Sequence, residues 1–142
     1  MRYRIALPAG KKLVSANDRL DWKLRASLVA SIRDTAERVA REMRIPPLGR
    51  VRVRAFYYYP DNGKRDPGNL APSVKAMVDG LVRSGAIPDD HDEFLTDDGI
   101  HRGYPDIPGG QMVLQVTPYE ESSLTMAETL ESLQLPYAVI LI

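Results

Sequence analysis

The sequence predicts an α+β domain: two layers, with a mixed β-sheet and two main helices on one face, in the order β-α-β-α-β-β. Three observations lead there. Residues 22–43 repeat apolar side chains at three- and four-residue steps, the period of a helix with one inward face. Residues 51–58 and 112–117 are short runs rich in β-branched, aromatic and apolar residues, the composition of strands. Proline and glycine clusters fall between these runs, where the chain must turn. A length of 142 residues suits one main core, and 44% hydrophobic with 27% charged residues is the balance of a folded chain.

Each element has its own warrant. Arg2 to Leu7 alternates and stops at Pro8, which reads as a first strand, and a polar loop carries Ser15-Ala16-Asn17-Asp18-Arg19. In the first helix Trp22, Ala26, Val29, Ile32, Ala36, Val39, Ala40 and Met43 form one stripe. Asp18 or Asp21 is placed to cap its start, and Pro46-Pro47 to stop it. Lys23, Arg25, Arg33, Arg38, Arg41 and Arg44 cover the remaining surface, either as solvated residues or as a phosphate-facing one.

In the strand from Val51 to Tyr58, alternation sends Val51, Val53, Ala55 and Tyr57 to the core and Arg52, Arg54, Phe56 and Tyr58 to the opposite face. Pro60 to Gly68 is a loop. The second helix runs to about Ser84, with Pro72 near its first turn, Leu70, Val74, Met77, Val78 and Leu81 inward, and Gly85 as its C-cap. An acidic loop, a weak strand near Phe94-Leu95 and a turn-rich loop to Gly109-Gly110 precede the last strand. The reading divides the chain at 118. Residues 119–142 form an extension with a short helix over Ser123 to Leu133. Its apolar, strand-like end, Tyr137 to Ile142, is expected to pack on the domain or on a dimer partner.

Composition removes several function classes. With no cysteine there is no disulfide scaffold, zinc ribbon or thiol nucleophile. The first residues are charged and lack the apolar core of a signal peptide, and no stretch approaches the ~20 apolar residues of a membrane span. Lys+Arg and Asp+Glu both count 19, a net charge of zero, which by itself argues against a nucleic-acid partner. The distribution argues the other way. Residues 1–58 hold 14 basic and 5 acidic residues, and residues 59–142 hold 5 basic and 14 acidic. Such asymmetry predicts a basic docking surface and an acidic site or tail.

The acidic half has a concentrated centre. Asp89, Asp90, Asp92, Glu93, Asp97 and Asp98 put six carboxylates within ten residues. Clustered like charges repel unless a cation neutralises them, and hard oxygen donors suit Mg²⁺ or Mn²⁺. The EF-hand frame is absent, and His91 and His101 are too few for a multi-histidine phosphohydrolase site. Asp66, at a loop-to-helix junction, and Asp79, on the second helix, are placed to converge with Asp89 and Asp90. Lys75 shares a helix face with Asp79 at i,i+4. Carboxylates that hold divalent ions, beside a lysine that stabilises developing charge, are what phosphodiester hydrolysis needs.

At these residues the chain resembles the RusA family of Holliday junction resolvases, best known from phages and prophages. The resemblance covers most of residues 2–118. It rests on Ser15-Ala16-Asn17-Asp18-Arg19, then Arg65-Asp66-x-x-Asn69-Leu70, then Lys75-x-x-x-Asp79-x-Leu81, then Gly85-x-x-x-Asp89-Asp90. It implies a cytoplasmic, homodimeric, Mg²⁺-dependent (or Mn²⁺-dependent) endonuclease that binds four-way DNA junctions and makes paired nicks in recombination and repair. It implies metal ligands at Asp66 and Asp90, with Asp89 beside them, and a catalytic lysine at Lys75. DNA contacts are expected at Arg65, with Lys64, Asn69, Asn17 and Arg19 in the same motifs. Two departures stand out. Gly68 occupies the position where better-known members carry a second aspartate, and the asparagine-to-lysine spacing is about one helical turn longer. Asp79 or Asp92 then completes the ligand set, or the protein binds junctions with weak activity or none.

Overall fold

The computed structural model describes residues 2–63, 66–91 and 93–119. The expectations for Lys64, Arg65, Asp92 and residues 120–142 lie outside the described residues. The elements are β1 (Tyr3–Ala6), α1 (Trp22–Glu42), β2 (Val51–Tyr58), a 3₁₀ turn (Pro67–Leu70), α2 (Ala71–Ser84), β3 (Leu95–Gly103) and β4 (Gln111–Pro118). Four strands make one mixed sheet in the order β1-β4-β2-β3. β2 and β3 are parallel, and β4 is antiparallel to both β1 and β2. Among the described residues no helix is long and apolar enough to cross a membrane.

The core forms between one sheet face and the two helices. Ile5, Val51, Val53, Ala55, Met112, Leu114 and Val116 meet Ile32, Ala36, Ala40, Val74, Met77, Val78 and Leu81, all buried. The alternation along β2 therefore sorts the strand as expected, with Arg54 exposed on the other face. The helices approach closely at Gly80, where a Cβ would lie 2.4 Å from the Arg33 carbonyl oxygen and 2.9 Å from the Ala36 Cβ. One buried polar side chain ties the early loop to α2. Ser73 Oγ accepts from the Val14 N–H at 2.7 Å and donates to the Val14 carbonyl at 2.8 Å, satisfying both backbone groups of a fully buried residue.

Three local expectations are corrected. The α1 stripe is buried only at Ile32, Ala36 and Ala40; Trp22 is 72% exposed, and Ala26 and Met43 also face solvent. At 1.5 Å per residue α1 is about 31 Å long and α2 about 21 Å, so the longer helix overhangs its partner by roughly two turns. The cap expectation also changes. Asp21 holds the N-cap position but makes no side-chain cap bond, while Asp18 Oδ2 accepts from the Ser15 N–H at 2.8 Å and closes the preceding loop. Finally, the weak strand at Phe94-Leu95 is a nine-residue strand from Leu95. Its Asp97-Asp98-Gly99 falls in the stretch expected as a turn-rich loop, a composition that β3, as an edge strand, tolerates. It needs one partner only, and its register against β2 shifts between Val53 and Ala55 at an irregularity.

Candidate active site

Gly85 ends α2 at φ 87°, a left-handed conformation that a side chain makes costly, and its N–H returns to the last turn. The chain reverses there. Ala86 and Ile87 are buried, and the Leu48 N–H donates to the Ala86 carbonyl at 2.9 Å. These anchors lay residues 88–90 back beside the helix, so that Asp90 reaches Lys75. The Lys75 ammonium donates to Asp79 Oδ1 at 2.7 Å, one turn further along its own helix, and to Asp90 Oδ2. Asp89 stands alongside: its Oδ1 accepts from the Asp90 N–H at 2.7 Å, and its Oδ2 lies 3.6 Å from His91 Nε2.

The charges set the protonation states of this clasp. Partial burial pulls Lys75 down, but the hydrogen bonds and charges of Asp79 and Asp90 outweigh it and hold its pKa above the ordinary lysine value. The hydrogen bond from Lys75, with help from Asp89, holds the Asp90 carboxyl below the usual carboxylate range. Lys75 and Asp90 line a cleft with Asp97 on a floor of Val74, Val78, Leu95 and Ile100.

A second cleft adjoins the first across the consecutive residues Leu70 and Ala71. It is lined by Ser15, Tyr57, Tyr59, Asp66, Asn69 and Leu70. Two motifs about fifty residues apart in sequence meet here, because the Ala16 N–H donates to the Asn69 carbonyl at 2.7 Å. Asp66 caps the 3₁₀ turn, its Oδ1 accepting from the Gly68 N–H at 3.0 Å. The loop leading to Asp66 is fastened by Arg102, whose guanidinium donates to the Gly63 carbonyl at 3.0 Å and the Asp61 carbonyl at 2.8 Å. Asn17 and Arg19 are exposed beside the Ser15 turn. Tyr57, Tyr59 and the Arg102 fastener were missed in the sequence. Alternation sends Tyr57 to the core, which it does pack against while also lining this cleft, and nothing local pairs Arg102 with a loop about forty residues earlier.

The fold thus gathers Lys75, Asp79, Asp89 and Asp90, and separately joins Asp66 and Asn69 to the early loop. It does not gather Asp66 with Asp89 and Asp90. Carboxylate oxygens are the right donors for Mg²⁺, but among the described residues no three His, Asp or Glu side chains are grouped to hold a metal ion. The Asp90 carboxylate is also engaged by an ammonium. As placed, the described carboxylates by themselves do not complete a metal cage. Asp66 caps the 3₁₀ turn ahead of α2, whereas Asp90 is drawn against the side of α2 by Lys75, so the two line adjoining clefts and not one. Gly68 bears on this directly. A Cβ there would lie 3.2 Å from Asp66 Oδ1, so a carboxylate at this position would have been the neighbour Asp66 lacks.

No protein-family model matches the chain, and no curated protein matches it. Among solved structures it is similar to the periplasmic domain of Helicobacter pylori MotB, with 14% identity over 94% of this chain and 85% of that one, at a TM-score of 0.44. A likeness of that degree carries no argument about what this chain does.

Proposed function

We propose that this chain is a divalent-ion-dependent endonuclease of four-way DNA junctions, acting as a homodimer in the cytoplasm of a bacterial host, whether host- or phage-encoded. The observation that carries the reading is the clasp of Lys75 by Asp79 and Asp90. Lys75 and Asp90, fifteen residues apart in sequence, meet at one cleft, with Asp89 alongside, beside the cleft that joins Asp66 and Asn69 to the early loop. In this reading Lys75 stands where it can meet charge developing on a phosphate, and Asp79 and Asp90 keep it protonated and aimed. A two-fold dimer offers two equivalent sites to the opposed strands of a junction. The basic first half supplies phosphate contacts.

The decisive experiment is nicking of a synthetic four-way junction in Mg²⁺ or Mn²⁺. Wild type should give paired nicks, whereas Asp90→Asn and Lys75→Gln should lose at least about 100-fold in rate, within the usual range for removing one charge-stabilising group, and still bind. If Asp90→Asn cuts as well as wild type, the site assignment is wrong.

A second reading is favoured by Gly68 and by the ungathered carboxylates: a protein that binds junctions without cutting them. It predicts shifted junction bands and no nicks in any divalent ion. Under this reading Gly68→Asp, which returns a carboxylate beside Asp66, is the variant in which cutting would appear.

A further inference from the structure

Among the described residues the helices cover one face of the sheet and leave the other open, and that open face is organised. Alternation sends Arg4 of β1, Arg52 and Arg54 of β2 and Gln115 of β4 to the same side. Register sets them in rows: Arg4 and Arg54 flank Gln115, and Arg52 lies opposite Thr117. Arg2, Arg52 and Arg54 converge on one cleft in which, among the described residues, Asp98 is the one acidic side chain, 3.8 Å from Arg52. The Arg52 Nε is buried there with no hydrogen-bond partner among the described residues. Gathering guanidinium groups on one surface repels them from one another, and an anion laid across them relieves that repulsion.

Aromatic rings continue the same face. Phe56 follows Arg54 by two residues and lies opposite His101, with ring centroids 5.8 Å apart. Arg4 sits 5.8 Å from the Phe56 centroid and donates to the Tyr58 hydroxyl at 2.8 Å. A ring among guanidinium groups on an open sheet face offers one half of a stack and a cation for the neighbouring phosphate. Duplex DNA keeps its bases stacked inside and can use only the cations; an unpaired strand can use both.

We infer that the open face of the sheet binds single-stranded nucleic acid, with phosphates at the Arg2–Arg52–Arg54 cleft and bases against Phe56 and His101. This deepens the junction reading, in which such a face would hold unpaired nucleotides where the arms meet. It rests on that reading only for the nucleic-acid partner, because the face lies across the sheet from the Lys75 cleft.

The test is fluorescence anisotropy of a labelled oligothymidine of about 20 nucleotides, long enough to span one such platform, in EDTA, with a duplex of equal length and a four-way junction beside it. The wild type should bind the single strand more tightly than the duplex, with affinity falling as salt rises. The double variant Arg2→Gln/Arg54→Gln changes only exposed side chains; it should weaken binding about ten-fold or more and lower the salt slope by about 0.7 per lost phosphate contact. Phe56→Leu should weaken single-strand binding about five-fold or more and leave duplex binding unchanged. Unchanged single-strand affinity in both variants overturns the inference, and does so even if the junction is still bound and nicked. If instead the variants change the sedimenting mass and not the affinity, the face belongs to a second copy of the chain and the inference also fails. Single-strand binding that both variants weaken, in a protein that neither binds nor cuts the junction, upholds the inference and removes the junction reading.

Discussion

At the residue scale, the Lys75 clasp makes a pH prediction whose sign can be worked out. Asp90 has a folded-state pKa lowered by Lys75. Its contribution is therefore present above the unfolded carboxylate value of about 3.9 and is lost as pH falls through the folded value. Lys75 has a raised folded-state pKa, so its contribution is full below the unfolded lysine value of about 10.4 and is lost as pH rises through the folded one. The clasp should stay closed across the neutral range. Carboxyl carbon NMR should show Asp90 titrating below a solvated aspartate, and Lys75→Met should raise it toward the ordinary range. An unshifted Asp90 in the wild type would show that the clasp does not form in solution. The sequence carried half of this clasp. Lys75 and Asp79 are four residues apart, and a helix brings them together by its own geometry. Asp90 needs the Gly85 reversal and the buried Ala86-Ile87 anchor, and a loop's return path is not written in local spacing.

At the element scale, the α1–α2 contact is fixed by one small residue. Alanine is the better helix former by about 0.8–1.0 kcal/mol, so Gly80→Ala would stabilise an isolated helix. In this protein the new methyl meets the Arg33 carbonyl oxygen at 2.4 Å, and backbone cannot swing aside as a side chain can. Overpacking should win, leaving the variant about 1–3 kcal/mol less stable, measurable by urea unfolding; a more stable Gly80→Ala would show that the helices sit further apart. The helices and the three strands with strong patterns were legible because burial imposes a period on the sequence. The stretch from Leu95 to Gly103 was not, because an edge strand with one neighbour is free to carry aspartate, glycine and histidine. The overhanging start of α1 failed for a different reason. Trp22 and Ala26 continue the apolar period, yet the period does not report where the partner helix stops.

At the scale of the whole molecule, the neutral total charge separates into surfaces. Arg2, Arg4, Arg52 and Arg54 come from the basic half and lie on the open sheet face, whereas Asp79, Asp89 and Asp90 come from the acidic half and lie around Lys75. Neutralising arginines on the sheet should therefore weaken junction binding and flatten its salt dependence. Neutralising Asp90 should leave binding near wild type, and a gel-shift series in increasing salt separates the two. The charge partition was readable from the sequence; its assignment to opposite sides of the sheet was not, since it depends on which strands are neighbours. That neighbour order has a temporal consequence. Among the described strands β1 precedes the rest, and its partner there is β4, more than a hundred residues later. At about 5–20 residues per second of synthesis, β1 waits roughly 5–20 s for that partner to emerge. Both helices and the β2–β3 pair can form in that interval, but Ile5 and Leu7 cannot be buried beside β4. A nascent chain stalled before residue 111 thus lacks one wall of its core.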